Sequence, residues 1–245
     1  MTGGEERYRK LIYDHYRSSS QTVNVNISSL LKRRKIYLVN LINKYFPADK
    51  SSQILDLGCG YGALLHVAGK MGYVNCRGVD ISPEMVALAQ KLSVDIIQED
   101  IFKALEEEAD ESLDFVISID VIEHLTKNEL VSFAMLVKQK LRNSGKWLIH
   151  CPNAESPFGA HIRYSDYTHE QAFTRISINQ LFKSIGFSKV LSFEDKPIPK
   201  NLKGIIRALG WSAIRLFWRM YLAIETGDGG SHRIFSQNFI SVAYK

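Results

Sequence analysis

The amino-acid sequence predicts an α/β protein built on a mostly parallel β-sheet. Between residues 54 and 150, apolar runs of strand length alternate with segments of helical pattern, which is typical of stacked βαβ units. The first apolar run leads into a glycine-rich turn, GCGYG at 58–62, and an acidic residue ends or follows each of four successive predicted strands. We therefore expect a ligand site where the carboxyl ends of these strands meet.

The elements follow in order along the chain. We predict strands at 53–57, 75–80, 93–98, 113–119, 146–151, 188–195 and 235–244, and helices at 62–70, 83–92, 101–108, 127–141 and 177–187. Ser82 and Pro83 are typical of the cap and first turn of the second of these helices. Residues 5–46 have the pattern of two helices separated by the polar stretch at 18–26, and they precede the sheet.

Composition limits the function classes. The chain has 245 residues, a formal net charge of +5 and three cysteines that are far apart in sequence, so we expect neither a disulfide framework nor a cysteine-ligated metal. The first residues contain no apolar run of signal-peptide length, which indicates a cytoplasmic protein.

The glycine turn is typical of a site where backbone N–H groups and a helix N-terminus face a ligand. The spacing of Gly58, Gly60 and Ala63 also fits the G-x-G-x-x-A dinucleotide fingerprint, with Asp80 about where a ribose-binding acid is expected. On this pattern alone, a nicotinamide or flavin dinucleotide remains an alternative.

The four acids at the strand ends, Asp56, Asp80, Asp100 and Asp120, favour a different ligand. A carboxylate at Asp56 would repel a pyrophosphate but attract an ammonium or sulfonium group. A ribose near Asp80, an adenine near Asp100 and an amino-acid ammonium near Asp56 and Asp120 together describe S-adenosylmethionine. For each acid taken singly, a helix N-cap is the alternative interpretation.

With these motifs, the chain resembles the class I S-adenosylmethionine-dependent methyltransferases over about residues 50–195 and the final strand. The motifs are ILDLGCGYG (54–62), GVDIS (78–82), QEDIF (98–102), ISIDVIEHL (117–125) and GKWLIHCPN (145–153). The resemblance implies a Rossmann-like fold with a seven-stranded, mostly parallel sheet whose last strand is antiparallel. One departure is RNSGK at 142–146, where many members carry a proline and two glycines.

The resemblance also implies which residues bind the cofactor and, after transfer, its product S-adenosylhomocysteine. Gly58 and Gly60 would line the methionyl part, Ile81 would lie beside the adenine, and Asp100 with Ile101 would face the adenine edge. The implied cofactor-binding set is Asp56, Gly58, Gly60, Tyr61, Gly62, Asp80, Ile81, Asp100, Ile101 and Asp120.

Methyl transfer to a hydroxyl requires alignment of the acceptor and removal of a proton. His124 and His169 are the candidate bases, because both fall at or beyond the predicted carboxyl edge. Glu123 and His124 recur as a pair in the ubiquinone-type branch of the family, where the pair serves the acceptor side or a divalent ion; we expect no metal here. His150, at the end of the fifth strand, is either on the acceptor side or a packed interior residue, and Cys151 is expected to be structural.

The polar segment at 152–175 is predicted to be an acceptor loop. Arg163, Tyr164, Asp166 and Tyr167 surround His169 in sequence and could hydrogen-bond many hydroxyl groups, which suits a sugar. The alternative is a loop ordered by its own polar contacts.

The segment at 200–225 concentrates five basic residues, two tryptophans and many aliphatic residues before its first acid, Glu225. We predict an amphipathic helix, inserted at 197–228, whose basic ladder of Lys203, Arg207, Arg215 and Arg219 must wind around it unless the helix breaks near Gly210. This composition indicates peripheral contact with a membrane rather than nucleic-acid binding, and a surface-docked core helix or a lid is the alternative.

These observations predict an N-terminal helical cap at 1–49 and a methyltransferase domain at 50–245. The expected function is S-adenosylmethionine-dependent O-methylation of a sugar or glycan hydroxyl, with a lipid-linked acceptor included, by a cytoplasmic protein that contacts the inner face of the membrane. The expectation of a glycan acceptor rests on the resemblance of the loop at 152–175 and of the basic helix to the corresponding parts of surface-polysaccharide enzymes. The alternatives are O-methylation of a small lipid or quinone-like molecule, and a catalytically silent cofactor-binding subunit.

Overall fold

The computed structural model describes residues 5–16, 18, 26–230 and 232–245. Its seven strands are β1 (Ile54–Leu57), β2 (Cys76–Asp80), β3 (Ile96–Gln98), β4 (Leu113–Ile119), β5 (Leu141–Pro152), β6 (Lys189–Glu194) and β7 (Asn238–Tyr244). They form one sheet in the order β3-β2-β1-β4-β5-β7-β6.

The sheet is parallel from β3 to β5, and β7 runs antiparallel to both of its neighbours, β5 and β6. Strand β6 therefore points the same way as β1 to β5. This confirms the predicted Rossmann-like fold class with its antiparallel last strand. The carboxyl ends of β1, β2, β4, β5 and β6 lie at one edge of the sheet, where the functional site is expected.

The helices are α1 (Glu5–Asp14), α2 (Ile27–Tyr45), α3 (Ala63–Lys70), α4 (Pro83–Gln90), α5 (Ile101–Glu107), α6 (Lys127–Lys140), α7 (Gly159–Ser165), α8 (Arg175–Ile185) and α9 (Leu202–Thr226). Helices α3 to α6 connect successive parallel strands, as the alternating pattern predicts. A capping box of Thr126 and Glu129 starts α6, and a left-handed Gly186 ends α8.

The two sheet faces are covered by separate apolar layers. On one face, Trp147 of β5 packs among Phe133, Phe182 and Phe187 from the α6 and α8 regions, and its indole N–H donates to Ser118 at 3.0 Å. On the other face, helices α2 and α3 bury residues such as Leu38 and Leu64 against β1, β4 and β7. The sheet is thereby fixed between two cores, and its carboxyl edge projects a rigid set of side chains.

Helix α1 lies over this carboxyl edge. Arg9 makes two hydrogen bonds to the Glu129 carboxylate, at 2.7 and 3.0 Å, and the Tyr8 hydroxyl donates to Glu170. The Tyr16 hydroxyl donates to Asp166 at 3.3 Å. That residues 1–49 form a separate cap domain stays a prediction. Residues 1–4, 17 and 19–25 lie outside the described residues, and they include most of the polar stretch at 18–26.

The structure differs from the predicted elements in three main places, and it decides between the two predicted forms of the basic helix. Helix α7 lies inside the segment predicted as a loop at 152–175, β3 is shorter than predicted, and β5 begins at Leu141, ahead of RNSGK. Helix α9 passes through Gly210 without a break, so the basic ladder winds. Within the described ranges, no helix has both the length and the apolar composition needed to cross a bilayer.

Candidate active site

The glycines of the turn at 58–62 are required by the packing of the protein itself as well as by access for a ligand. Gly58, Gly60 and Gly62 all have positive φ, and a Cβ added to Gly58 would lie 2.5 Å from Val121 Cγ2. A Cβ on Gly62 would lie 2.6 Å from Ile96 Cδ1, whereas one on Gly60 meets no protein atom within 4 Å. Close packing against the protein itself therefore explains two of the three glycines, and Gly60 alone of the three leaves space where a ligand can approach.

Asp80 joins this turn to the end of β2. Its Oδ2 accepts a hydrogen bond from the Gly60 N–H at 2.7 Å, and its Oδ1 accepts one from the Ser82 N–H at 2.9 Å. Burial raises the pKa of the carboxyl group, and the two backbone hydrogen bonds oppose this shift. Asp80 thus fixes the conformation of the turn and keeps lone pairs for hydroxyl groups such as those of a ribose.

Asp56 is a buried carboxyl group with an unsatisfied oxygen. It is 2% exposed, and its Oδ1 has no hydrogen-bond partner. Burial, together with the nearby Asp80 carboxylate, raises its pKa to about 7, although Arg34 opposes the shift. An unpartnered carboxyl beside the open Gly60 fits a ligand with an ammonium group, because such a group would supply the missing donor and charge.

The remaining predicted cofactor residues occupy different environments. Asp100 is exposed, and its carboxylate accepts hydrogen bonds from the Phe102 and Lys103 N–H groups. Asp100 is therefore the N-cap of α5, which is the alternative role considered for it above. Ile81 is 43% exposed beyond β2, which leaves an apolar surface available to an adenine ring. Ile101 follows Asp100, and Tyr61 has a buried hydroxyl without a described partner.

Asp120 and His150 form an ion pair at the ends of β4 and β5. His150 Nδ1 lies 2.6 Å from Asp120 Oδ1, and its Nε2 lies 3.4 Å from Asp195 Oδ2 just after β6. Burial lowers the pKa of His150, but the two aspartates outweigh burial and raise it overall. Desolvation raises the pKa of Asp120, but the charge and hydrogen bond of His150, with smaller contributions from Arg34 and His124, together outweigh it and lower this pKa. His150 is thus a buried cation that holds three strand ends together.

His124 belongs to a chain of hydrogen bonds that the sequence does not predict. Thr168 Oγ1 lies 2.6 Å from Asp166 Oδ1 and 2.8 Å from His124 Nδ1. The pKa of Asp166 is lowered because its hydrogen bonds from Thr168 outweigh burial, so the carboxylate is ionised and can only accept. Thr168 must therefore donate to Asp166 and accept from His124 Nδ1–H, which leaves the lone pair on His124 Nε2.

His124 is also held in its neutral form. Burial, together with the nearby His169, lowers its pKa to about 4. The two imidazole rings lie 4.8 Å apart, and the Tyr13 ring of α1 lies 6.3 Å from His124. His169 Nδ1 is 3.1 Å from the Ile162 carbonyl oxygen, which can only accept, so His169 Nδ1 carries the hydrogen of this bond.

Glu123 lies beside the two histidines. It is 1% exposed, its Oε2 has no described partner, and burial, helped by the Asp120 charge, raises its pKa well above the usual range. Candidate ligand atoms of Glu123, His124 and His169 lie within 4.8 Å of one another. These side chains could hold a cation, a possibility that the sequence pattern alone does not favour.

The predicted acceptor-loop residues divide into two groups. Arg163 donates to the Glu170 carbonyl oxygen at 2.6 Å, and Asp166 is engaged with Thr168, so both order the loop itself. Tyr164 and Tyr167 are 79% and 83% exposed, so both rings remain largely accessible.

Four residues of the site were not predicted from the sequence: Thr168, Tyr13, Tyr16 and Asp195. The signals that could have indicated them are the tyrosine-rich pattern of α1 and the short spacing of Asp166, Thr168 and His169.

A glycine turn tied to a ribose-side acid, an unpartnered carboxyl and paired histidines at the carboxyl edge define a class I S-adenosylmethionine-dependent methyltransferase domain. A sequence profile described as "Methyltransferase domain" matches residues 30–192. The chain belongs to this methyltransferase-domain family, and the expected cofactor, S-adenosylmethionine, is confirmed for it.

Two curated relatives show how partial the sequence likeness is. Ajmaline N-methyltransferase of Rauvolfia serpentina is 40% identical over 90 residues, covering 34% of this chain and 31% of the relative. Cyclopropane-fatty-acyl-phospholipid synthase of Escherichia coli K12 is 28% identical over 102 residues, covering 40% of this chain and 25% of the relative. The chain thus spans less than a third of the length of either relative.

Two solved structures share the fold over nearly the whole chain. An S-adenosylmethionine-dependent methyltransferase from Archaeoglobus fulgidus aligns with a TM-score of 0.64 and 21% identity, covering 96% of this chain and 99% of that one. Phosphoethanolamine N-methyltransferase 2 of Haemonchus contortus, in complex with S-adenosyl-L-methionine, aligns with a TM-score of 0.60 and 17% identity, covering 95% and 60%. At these identities, the likeness shows the fold alone.

The packing of the glycine turn gives a first prediction. Gly58→Ala combines a strained positive φ with a clash against Val121, and it should lower the free energy of unfolding by about 3 kcal/mol. Gly60→Ala is the matched control, because it has the strain without the clash and should cost about 1 kcal/mol. Urea denaturation measures both, and equal losses would contradict the packing argument.

The pKa of Asp56 gives a second prediction. Because the folded-state pKa lies above the ordinary value of 3.8, the stability from this group is present at low pH and is lost as pH rises through about 7. Asp56→Asn should therefore raise the free energy of unfolding at pH 8 but not at pH 4, by at most about 4 kcal/mol, as measured by urea denaturation at both pH values. The exposed Asp95→Asn should follow the wild-type profile; a parallel profile for Asp56→Asn would argue against the buried charge.

Proposed function

We propose that the protein transfers a methyl group from S-adenosylmethionine to a hydroxyl group of a sugar or glycan, with His124 as the general base. The observation that carries this proposal is the hydrogen-bonded chain from Asp166 through Thr168 to His124 Nδ1. It supports a base because it directs the lone pair to Nε2 and fixes the imidazole plane. A pKa lowered to about 4 leaves the imidazole neutral at pH 7, and the Asp166 carboxylate, which raises this pKa, would favour the protonated form after transfer.

The division of roles follows from the two sides of the carboxyl edge. The bound cofactor supplies an electrophilic methyl group. The carboxyl groups of Asp56 and Asp80 and the open Gly60 would bind its amino-acid and ribose parts. His124 would accept the proton that the acceptor hydroxyl loses, and Asp166, through Thr168, would stabilise the imidazolium that forms. His169 would position the acceptor.

A sugar acceptor is supported by the hydrogen-bonding surface next to His124. Tyr13 of α1 lies next to His124, and Tyr16, two residues past the end of α1, bonds to Asp166; Tyr164 and Tyr167 add exposed aromatic rings and hydroxyl groups from the same loop as His169. A lipid-linked sugar is included, which would bring a cytoplasmic protein to the inner face of the membrane. O-methylation of a small lipid or quinone-like hydroxyl and a silent cofactor-binding subunit remain the competing proposals.

Amine acceptors are tested alongside hydroxyl acceptors, because the curated relatives include N-methyltransferases. The protein is incubated with ¹³C-methyl-labelled cofactor and panels of glycans, lipid-linked sugars, quinols and amines. The proposal expects a methyl ether on a sugar, identified from its carbon chemical shift. An N-methyl product, or cofactor binding without turnover on any hydroxyl, would contradict it.

The base assignment gives a third prediction. His124→Ala should lower kcat by about 10²- to 10⁴-fold, with cofactor affinity nearly unchanged. Thr168→Val keeps the side-chain shape but cannot orient Nδ1, so we expect a smaller loss in kcat. His161→Ala is the matched control, since His161 is exposed in the same segment, and it should retain activity.

A chelator separates the base from a metal mechanism at the same residues. If His124 is the base, activity should be unaffected by EDTA. Loss of activity in EDTA with recovery on addition of Mg²⁺, Mn²⁺ or Zn²⁺ would instead assign Glu123, His124 and His169 to a cation and would contradict the proposed base.

A further inference from the structure

Helix α9 presents an apolar surface that the protein itself does not cover. Gly204 is the one buried residue of this fully described 25-residue helix. Buried or half-buried residues recur every three or four positions along α9, so they form one narrow stripe that faces the body of the protein. That stripe consists of Gly204, Ala208, Trp211, Arg215, Trp218 and Leu222.

The side opposite this stripe contains no charged residue. With 3.6 residues per turn, its centre is about 180° from Trp211. Seven large apolar side chains on it are 56 to 86% exposed. They are Leu202, Ile206, Leu209, Leu216, Phe217, Met220 and Ile224, which we call the outward face. It extends about 33 Å along the helix.

The basic residues lie beside the outward face and not on it. On the helical projection, Lys203 lies just beyond one edge of the outward face, and Arg207 and Arg219 lie farther round the helix, on the two sides between this face and the body; these two sides are its borders. Arg215 instead faces the body, where its Nε lies 3.0 Å from Glu194 at the end of β6. The ladder expected from the sequence is thus divided, and an apolar face with cationic borders results.

We infer that the outward face binds in the plane of an anionic lipid surface. Its apolar side chains would enter the acyl boundary, while the lysine and arginine stems on the borders would reach the phosphate groups. A second copy of this chain fits less well, because the one acid of α9, Glu225, could offset only one of the three basic border residues in each copy. The charge of the borders therefore favours lipid phosphate as the partner.

The position of α9 links this surface to the proposed transfer site. Glu194, which pairs with Arg215, ends β6 at the carboxyl edge, and the next residue, Asp195, contacts His150. A helix lying on lipid would therefore hold this edge next to the membrane. This link to a lipid-linked acceptor rests on the proposed function, whereas lipid binding itself does not.

Vesicle co-sedimentation without acceptor or methyl donor tests the inference. Wild-type protein should bind phosphatidylglycerol–phosphatidylcholine vesicles at least about tenfold more tightly than pure phosphatidylcholine, and salt should weaken the binding. Leu209→Gln with Phe217→Gln should reduce binding at least about tenfold. Lys203→Gln with Arg207→Gln should reduce it roughly 25-fold on anionic vesicles alone.

Ser212→Gln with Thr226→Gln is the matched control, because both residues are exposed on α9 but lie off the outward face. This variant should bind as wild type does, and retained binding of S-adenosylhomocysteine shows that each variant is folded. Wild-type protein that stays in solution with both vesicle types overturns the inference. If light scattering then shows a dimer that Leu209→Gln with Phe217→Gln dissociates, the outward face belongs to a second copy.

Discussion

The hydrogen bond from the Gly60 N–H to the Asp80 carboxylate is the constraint on which the rest of the site depends. It connects the turn after β1 to the end of β2, so the first two βα units meet at a fixed distance. The turn can follow this path because its glycines adopt positive φ, and Val121 and Ile96 occupy the space that side chains would need. Asp56 is left buried next to this turn with one oxygen unsatisfied, which is a state that a cationic ligand relieves.

The same edge carries a second set of charges for the acceptor side. His150 binds Asp120 and Asp195 and stays cationic, whereas His124, only four residues beyond Asp120, stays neutral. Two aspartates surround the first histidine, while burial and a second imidazole dominate at the other. Environment therefore assigns opposite charge states to two histidines of one site, and only the neutral one has a lone pair for a proton.

The sequence was sufficient for the fold, because strand length, glycine spacing and strand-end acids are local patterns. It predicted where Asp56, Asp80 and Asp120 lie but not what they contact. The bond between Thr168 and His124 joins residues 44 positions apart, and Arg9 reaches Glu129 over 120 positions. Such contacts depend on how α1 and the segment around α7 cover the sheet edge. The hydrophobic periodicity of the sequence contains no information on this arrangement. For α9, the sequence indicated an amphipathic helix, but its burial pattern was needed to separate the apolar face from the basic borders.

Isothermal titration calorimetry on the wild type and Asp80→Asn tests the central claim, a site built around Asp80 for an S-adenosyl ligand, most directly. We expect S-adenosylmethionine and S-adenosylhomocysteine to bind the wild type, and Asp80→Asn to weaken both by at least about tenfold, or roughly 1.4 kcal/mol. A nicotinamide dinucleotide should give no heat of binding. Tight binding of that dinucleotide, or unchanged affinity in Asp80→Asn, would contradict the account.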